Sequence, residues 1–159
     1  MTDPQTVSVG AATAEDVAAV VAGVTSLLRE LRADPTYQVA GMARVAASAI
    51  AGEGGAGVLV ARRHGGQICG VLSWTTPVAM RLGGPYCLIQ ELWVAAPIRS
   101  RGVAGRLLGE LRQVCRRAGL TRVEVCLPRP QFPGSHRTIA FYETHGFRIV
   151  GPRALWDLP

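Results

Sequence analysis

With 159 residues, of which 48% are hydrophobic and 18% charged, the chain is long enough to bury the core of one domain of ordinary size and too apolar to be disordered. Its formal net charge of +6 arises from seventeen arginines and no lysine. Those arginines are scattered, adjacent only at Arg62-Arg63 and Arg116-Arg117, and no aromatic residues alternate with them as a base-stacking surface requires; nucleic acid is therefore disfavoured, and attraction of a polyanionic ligand is the plainer reading.

The first residues, Met1 to Pro4, lack a basic region followed by an apolar core, and the longest apolar stretch, Val17 to Leu28, is interrupted by Thr25 and Ser26, so neither a signal peptide nor a membrane span is expected. Val7 to Ala11 reads as a first strand. Thr13-Ala-Glu-Asp16 has capping-box spacing for a helix on which Val17, Val20, Val21, Val24, Leu27, Leu28 and Leu31 recur at three and four residues, until Asp34-Pro35 ends it. A second, alanine-rich helix is expected from about Val39 to Ala51, followed by the glycines between Gly52 and Gly57. Gly57 to Arg62 and Ile68 to Trp74 read as strands joined by His64-Gly-Gly-Gln67, a hairpin turn whose glycines accept positive φ.

After a loop from Pro77 to Pro85 come a strand from Cys87 to Val94 and a helix from Gly102 to Ala118, with Val103, Leu107, Leu108, Leu111, Val114 and Cys115 facing inward and Gly119 as its stop. Arg122 to Leu127 reads as a strand, Pro128 to Gly134 as a rigid loop, Ser135 to His145 as a short helix, and Phe147 to Val150 and Ala154 to Leu158 as two closing strands. Strands interleaved with helices, and hairpins within them, imply one α/β (α+β) domain over residues 1–159: a mixed central sheet of about seven strands with helices on both faces. Cys69, Cys87, Cys115 and Cys126 are far apart in sequence, three in expected strands and one in a helix, and read as buried free thiols of a cytoplasmic protein.

The junction between the Cys87–Val94 strand and the following helix carries the chemistry. The strand ends at Val94, Pro97 blocks its continuation and the helix begins near Gly102, so successive backbone N–H groups from about Arg99 to Ala104 are expected to lack partners. With the positive end of the helix dipole, such a row suits a phosphate or pyrophosphate, and a bulky side chain at Gly102 or Gly105 would hold that group off the backbone. The spacing fits neither Gly-x-x-x-x-Gly-Lys-Ser/Thr nor Gly-x-Gly-x-x-Gly.

Arg99-Ser-Arg-Gly102-Val-Ala104 resembles instead the Arg/Gln-x-x-Gly-x-Gly/Ala segment of the GNAT (general-control-related N-acetyltransferase) superfamily. A second segment, Ser135-His-Arg-Thr-Ile-Ala-Phe-Tyr-Glu-Thr-His-Gly-Phe147, is similar to that superfamily's Asn-x-x-Ala-x-x-Phe/Leu-Tyr-x-x-x-Gly-Phe, with Ser135 and Thr138 in place of Asn and Ala. The resemblance covers the half of the chain from about Tyr86 onward, while the N-terminal half agrees in element order. It implies a GNAT-like fold splayed between its fourth and fifth strands, those at Leu88–Val94 and Arg122–Leu127, and acetyl-CoA as co-substrate. Leu92, Trp93 and Val94 would offer backbone contacts to pantetheine, and Ser100, Arg101, Gly102, Val103, Ala104 and Gly105 would cradle the pyrophosphate. Arg99, Arg101 and Arg106 would add charge-assisted bonds, Arg99 foremost because it holds the signature position, and Ser135 would add a side-chain contact.

The resemblance also implies that Tyr142 donates a proton or hydrogen bond to the leaving CoA thiolate; the plain alternative is a core tyrosine. Glu91, the only charged residue in an apolar strand, is either the acceptor of the amine proton or a structural partner of an arginine. Glu124 is a weaker candidate for the same task and reads more readily as a paired or strand-surface carboxylate. The sequence spacing singles out no His or basic residue to activate Cys126, and His64, His136 and His145 lack ligand spacing, so neither a covalent acyl-enzyme nor a metal is expected. The leading expectation is acetyl transfer to a primary amine of a small molecule or peptide by direct attack in a ternary complex, with no nucleic-acid or membrane partner and a homodimer allowed. The alternatives are an inactive CoA-binding module of the same fold and a basic nucleic-acid-binding protein.

Overall fold

The computed structural model describes residues 7–151 together with Ala154 and Asp157. The chain divides into two compact units, one running through Val125 and the other beginning at Cys126.

In the first unit five strands form one sheet in the order β1-β2-β3-β4-β5, where β1 is Val7–Ala11, β2 Gly57–Arg63, β3 Ile68–Thr75, β4 Cys87–Val94 and β5 Val123–Val125. β1 through β4 pair antiparallel, and β5 joins β4 in parallel. The β2–β3 turn closes with the Arg63 N–H donating to the Gln67 carbonyl at 2.9 Å, and Gly65 and Gly66 take the positive φ the turn demands. The Pro77–Pro85 segment, expected as a plain loop, contains a ribbon of two-residue strands, Val78–Ala79 and Gly84–Pro85.

α1 (Val17–Arg32) and α2 (Met42–Ile50) cover one face of the sheet, with Val20, Val24 and Ala46 packed on Val58, Val60 and Val71. α1 lies close to the sheet because residue 23 is glycine: a Cβ there would stand 2.7 Å from Trp93 Cε3. Ahead of α1 the expected capping box is present, with the Thr13 N–H donating to Asp16 Oδ2 at 2.7 Å, but it opens a 3-10 turn, Ala14–Asp16. Arg62 then pairs with the same carboxylate oxygen at 2.5 Å, and this ion pair, absent from the sequence reading, holds the Asp16 pKa below the ordinary carboxylate value.

α3 (Val103–Arg117) takes the other face and buries Val103, Leu107, Leu108, Leu111 and Cys115 at spacings of three and four. It ends at Gly119, φ +69°, where the Leu120 N–H reaches the Cys115 carbonyl at 2.9 Å in a Schellman closure. Cys69, Cys87 and Cys115 are buried free thiols, and burial raises the Cys69 pKa. Cys126 departs from expectation: it is exposed and follows the end of β5.

The second unit holds α4, Ser135–Thr144, close to its expected bounds. Phe147–Val150 is not a strand; Phe147 packs on Tyr142, but Ile149 and Val150 are 56% and 73% exposed, so the end of an apolar run that looked like a strand faces outward. The strand expected at 154–158 lies mostly outside the described residues. Among those residues the main sheet therefore has five strands in place of about seven, and it is mixed with helices on both faces as expected. No helix among the described residues is long and apolar enough to cross a membrane.

Candidate functional site

β4 is built to open. Its parallel ladder with β5 ends at Ile89↔Val125, five residues before β4 itself ends, because β5 stops at Val125. On the other side its register with β3 slips by one between Ser73↔Glu91 and Trp74↔Ile89, leaving Gln90 as the extra residue of a β-bulge. A bulge sharpens local twist, and this one sits immediately beyond the last β4–β5 pair, so it turns the remainder of β4 away from the β5 direction.

Residues 91–94 keep their ladder to β3 on one side only. The Ala95 N–H donates to the Cys69 carbonyl at 2.9 Å, which sets the parity: Glu91 and Trp93 direct their backbone groups toward β3, while Leu92 and Val94 direct theirs to the open edge. The Val94 carbonyl is already taken by Arg99 Nε at 2.8 Å. The groups left at the edge are the N–H and C=O of Leu92 and the N–H of Val94. Trp93 does not join them, against the sequence expectation. Its indole lies toward α1 with Nε1 buried and unpartnered among the described residues.

Beyond Val94 a 3-10 turn, Ala96–Ile98, carries Pro97 at its start and leads into a tight bend with positive φ at Ser100 (+61°) and Gly102 (+77°). A non-glycine residue in the left-handed region costs on the order of 1 kcal/mol, and such residues gather at ligand clamps. The first helical backbone bond of α3 runs from the Arg106 N–H to the Gly102 carbonyl at 3.0 Å, and the N–H groups of Ser100 through Gly105 donate to no acceptor among the described residues. A Cβ built on Gly102 meets nothing within 4 Å, so the space in front of the row is open. Six consecutive free donors at a helix N-terminus match the geometry of an anion site, and the donor set fits a pyrophosphate.

The three arginines named beside the row differ in their partners within the chain. Arg99 spends its guanidinium on the Val94 carbonyl and on Glu30 Oε1 at 2.6 Å, which ties the strand end and the last turn of α1 to the bend. Arg106 reaches back to the Val7 carbonyl at 2.9 Å. Arg101 is exposed and makes no polar contact among the described residues, which leaves it the freest cation beside the row.

Glu91 stands on the same face of β4 as Trp93, the face covered by α1 and α2. Its Oε2 accepts a hydrogen bond from the buried Ser73 hydroxyl, its register partner on β3. It pairs with no arginine among the described residues, which removes the ion-pair alternative there. Glu124 does pair, with Arg81 Nη1 and Nη2 at 3.1 Å each, and so reads as structural. In the second unit Ser135 opens α4 and gives its hydroxyl to the Pro130 carbonyl at 3.2 Å. Tyr142 is 6% exposed, packed edge-to-face on Phe147 and on Phe141, with its hydroxyl bonded to no described residue. Burial pushes the Tyr142 pKa above that of a free phenol, so the group stays protonated and remains a donor.

Solved structures with the same fold include a ribosomal-protein-alanine N-acetyltransferase from Brucella melitensis biovar Abortus 2308 (TM-score 0.73, 15% identity, covering 97% of this chain and 100% of that one). An aminoglycoside acetyltransferase from an uncultured soil metagenomic sample aligns with TM-score 0.75 and 19% identity, covering 98% of this chain and 99% of that one. A predicted acetyltransferase with acetyl-CoA from Clostridium acetobutylicum gives 0.74 and 15%, covering 96% of each chain. No curated protein matches the chain in sequence. The family described as "Acetyltransferase (GNAT) family" matches residues 24–147, which takes in the open edge of β4, the free N–H row and α4. With that match over most of its length, the chain belongs to the GNAT acetyltransferase family.

Proposed function

We propose that the chain is an acetyl-CoA-dependent N-acetyltransferase that acts on a primary amine of a small molecule or peptide by direct attack in a ternary complex. The observation that carries this reading is the row of free N–H groups from Ser100 to Gly105 lying directly after a half-open β4 edge. An anion cradle joined to an extended edge suits a long ligand with a pyrophosphate at one end and an amide-bearing arm at the other, and CoA has that form. The family match runs across the boundary between the two compact units and supports treating residues 1–159 as one catalytic domain. The three buried thiols suit a reducing, cytoplasmic setting.

Acetyl-CoA supplies an acetyl group activated as a thioester. The chain binds it through the Ser100–Gly105 donors, with Arg101 adding charge, and through the edge groups of Leu92 and the Val94 N–H. A primary alkylamine has a pKa near about 10.4 and is protonated at neutral pH, so a base must take its proton before attack. Glu91 is that base, directly or through one water, and its Oε1 has no partner among the described residues. Tyr142 donates a hydrogen bond to the departing sulfur. Full transfer is uphill even from an ordinary phenol of pKa about 10 to a thiolate of about 8.5, and burial widens that gap.

One similar structure is named a ribosomal-protein-alanine N-acetyltransferase, which supports the amine class, and another is named an aminoglycoside acetyltransferase, so both a protein and a small-molecule acceptor stay in play. The test is a screen of small-molecule and peptide amines followed by free-thiol release, with mass spectrometry of products. The reading predicts amine-dependent thiol release and an acetylated amine. Thiol release that no amine accelerates would contradict it.

A further inference from the structure

On the face that α1 and α2 cover, β2 and β3 bury Val58, Val60 and Val71, and Trp93 of β4 packs beside them. Within that field Ser73 and Glu91 face one another as register partners, and the Ser73 hydroxyl donates to Glu91 Oε2. The pair lies at the last regular step before the Gln90 bulge. Ser73 is buried at 9% exposure and its hydroxyl makes no second bond among the described residues. A carboxylate in such a setting needs partners, and this one has a single neutral donor on one oxygen and no cation. Glu91 is half-buried, and its second oxygen makes no hydrogen bond or ion pair among the described residues.

We infer that Ser73 is a positioning residue: it holds Glu91 in one rotamer, with Oε2 tethered and Oε1 presented to the ammonium of the acceptor. The inference rests on the proposed amine transfer and adds a residue to it. Ser73 acts on the reaction only through Glu91. A serine suits the task because a charged donor would satisfy the carboxylate internally and compete with the substrate's ammonium, whereas a hydroxyl fixes one oxygen and leaves the charge available. The bulge contributes by breaking the register just before the pair, so that Glu91 stands beside a locally twisted segment of β4.

A double-mutant cycle separates this role from a packing role. With an amine that the parent acetylates, Ser73→Ala should lower kcat about tenfold, the loss expected for one hydrogen bond to a charged group, while the KM for acetyl-CoA stays at the parent value. Ser73→Thr, which keeps the hydroxyl, should recover most of that loss. In a Glu91→Gln background, Ser73→Ala should cost less than about twofold further, because the group it acts through is already changed. Equal losses in both backgrounds, or parent kcat in Ser73→Ala, would overturn the inference while leaving acetyl transfer intact. A parent that acetylates no amine would overturn the transfer reading itself, and this inference with it. Should Ser73→Ala fold poorly, the Thr variant alone decides: a loss as large as that of Glu91→Gln would show that the hydroxyl is not what matters.

Discussion

At the scale of single residues, Tyr142 is where chemistry and packing are easiest to separate. Its ring contacts Phe141 and Phe147, and its hydroxyl has no partner among the described residues, so Tyr142→Phe removes one atom and little packing. The account predicts that turnover falls by roughly ten- to ten-thousandfold, the range for positioned proton donors, with the melting temperature nearly unchanged. The pH sign follows from burial. Because the folded pKa is raised, the protonated donor persists as pH climbs through about 10, where a free phenol ionises. Ultraviolet titration of parent against Tyr142→Phe should show the extra tyrosine ionising only above that point, and a difference signal at or below it would contradict the burial of the hydroxyl. Position in a motif marked Tyr142 in the sequence. Ser73 was invisible there, because a lone serine in an apolar strand acquires meaning only once the register sets it opposite Glu91. Spacing put Arg99 at the bend, but only the fold brings Glu30 and the Val94 carbonyl within its reach.

Elements were legible where their periodicity was internal to the segment. α3 shows its buried stripe and its glycine stop in the sequence, and the His64–Gln67 turn shows its glycines. Elements defined by a partner were not. The Gln90 bulge depends on how β3 and β4 align, and β5 is shorter than Arg122–Leu127 because only Val123–Val125 find β4. Phe147–Val150 had a strand's composition and no ladder among the described residues. The free donors at the start of α3 were foreseeable because they follow from helix geometry alone. Gly102→Ala tests their use. At φ +77° an alanine costs about 1 kcal/mol of stability, and its methyl also stands in the open space before the donors. Gly119→Ala, at φ +69° with nothing within 4 Å at the far end of the same helix, is the matched control. Both should lose similar stability, and only Gly102→Ala should weaken CoA binding, by about tenfold or more if one backbone contact to the anion is lost. Equal CoA affinity in the two variants would move the pyrophosphate away from this row.

For the whole molecule, the sequence announced the family through two short segments about forty residues apart, and the fold added what those segments could not: a β4 edge half released by a short neighbour and a bulge. A formal charge of +6 with few aromatics fits capture of a polyanionic co-substrate better than a stacking surface for bases. The proposed amine acceptor has no such announcement, because an amine is recognised by a few carboxylates and hydroxyls whose grouping depends on register and helix placement. The central claim, that this chain binds acetyl-CoA through the Ser100–Gly105 donors, is tested most directly by following the melting temperature of the protein as acetyl-CoA is added. A ligand that binds only the folded state adds about 2.7 kcal/mol of stability at a hundredfold excess over its dissociation constant, so the account predicts a clear upward shift that grows with concentration. A melting temperature that millimolar acetyl-CoA leaves unmoved would contradict it.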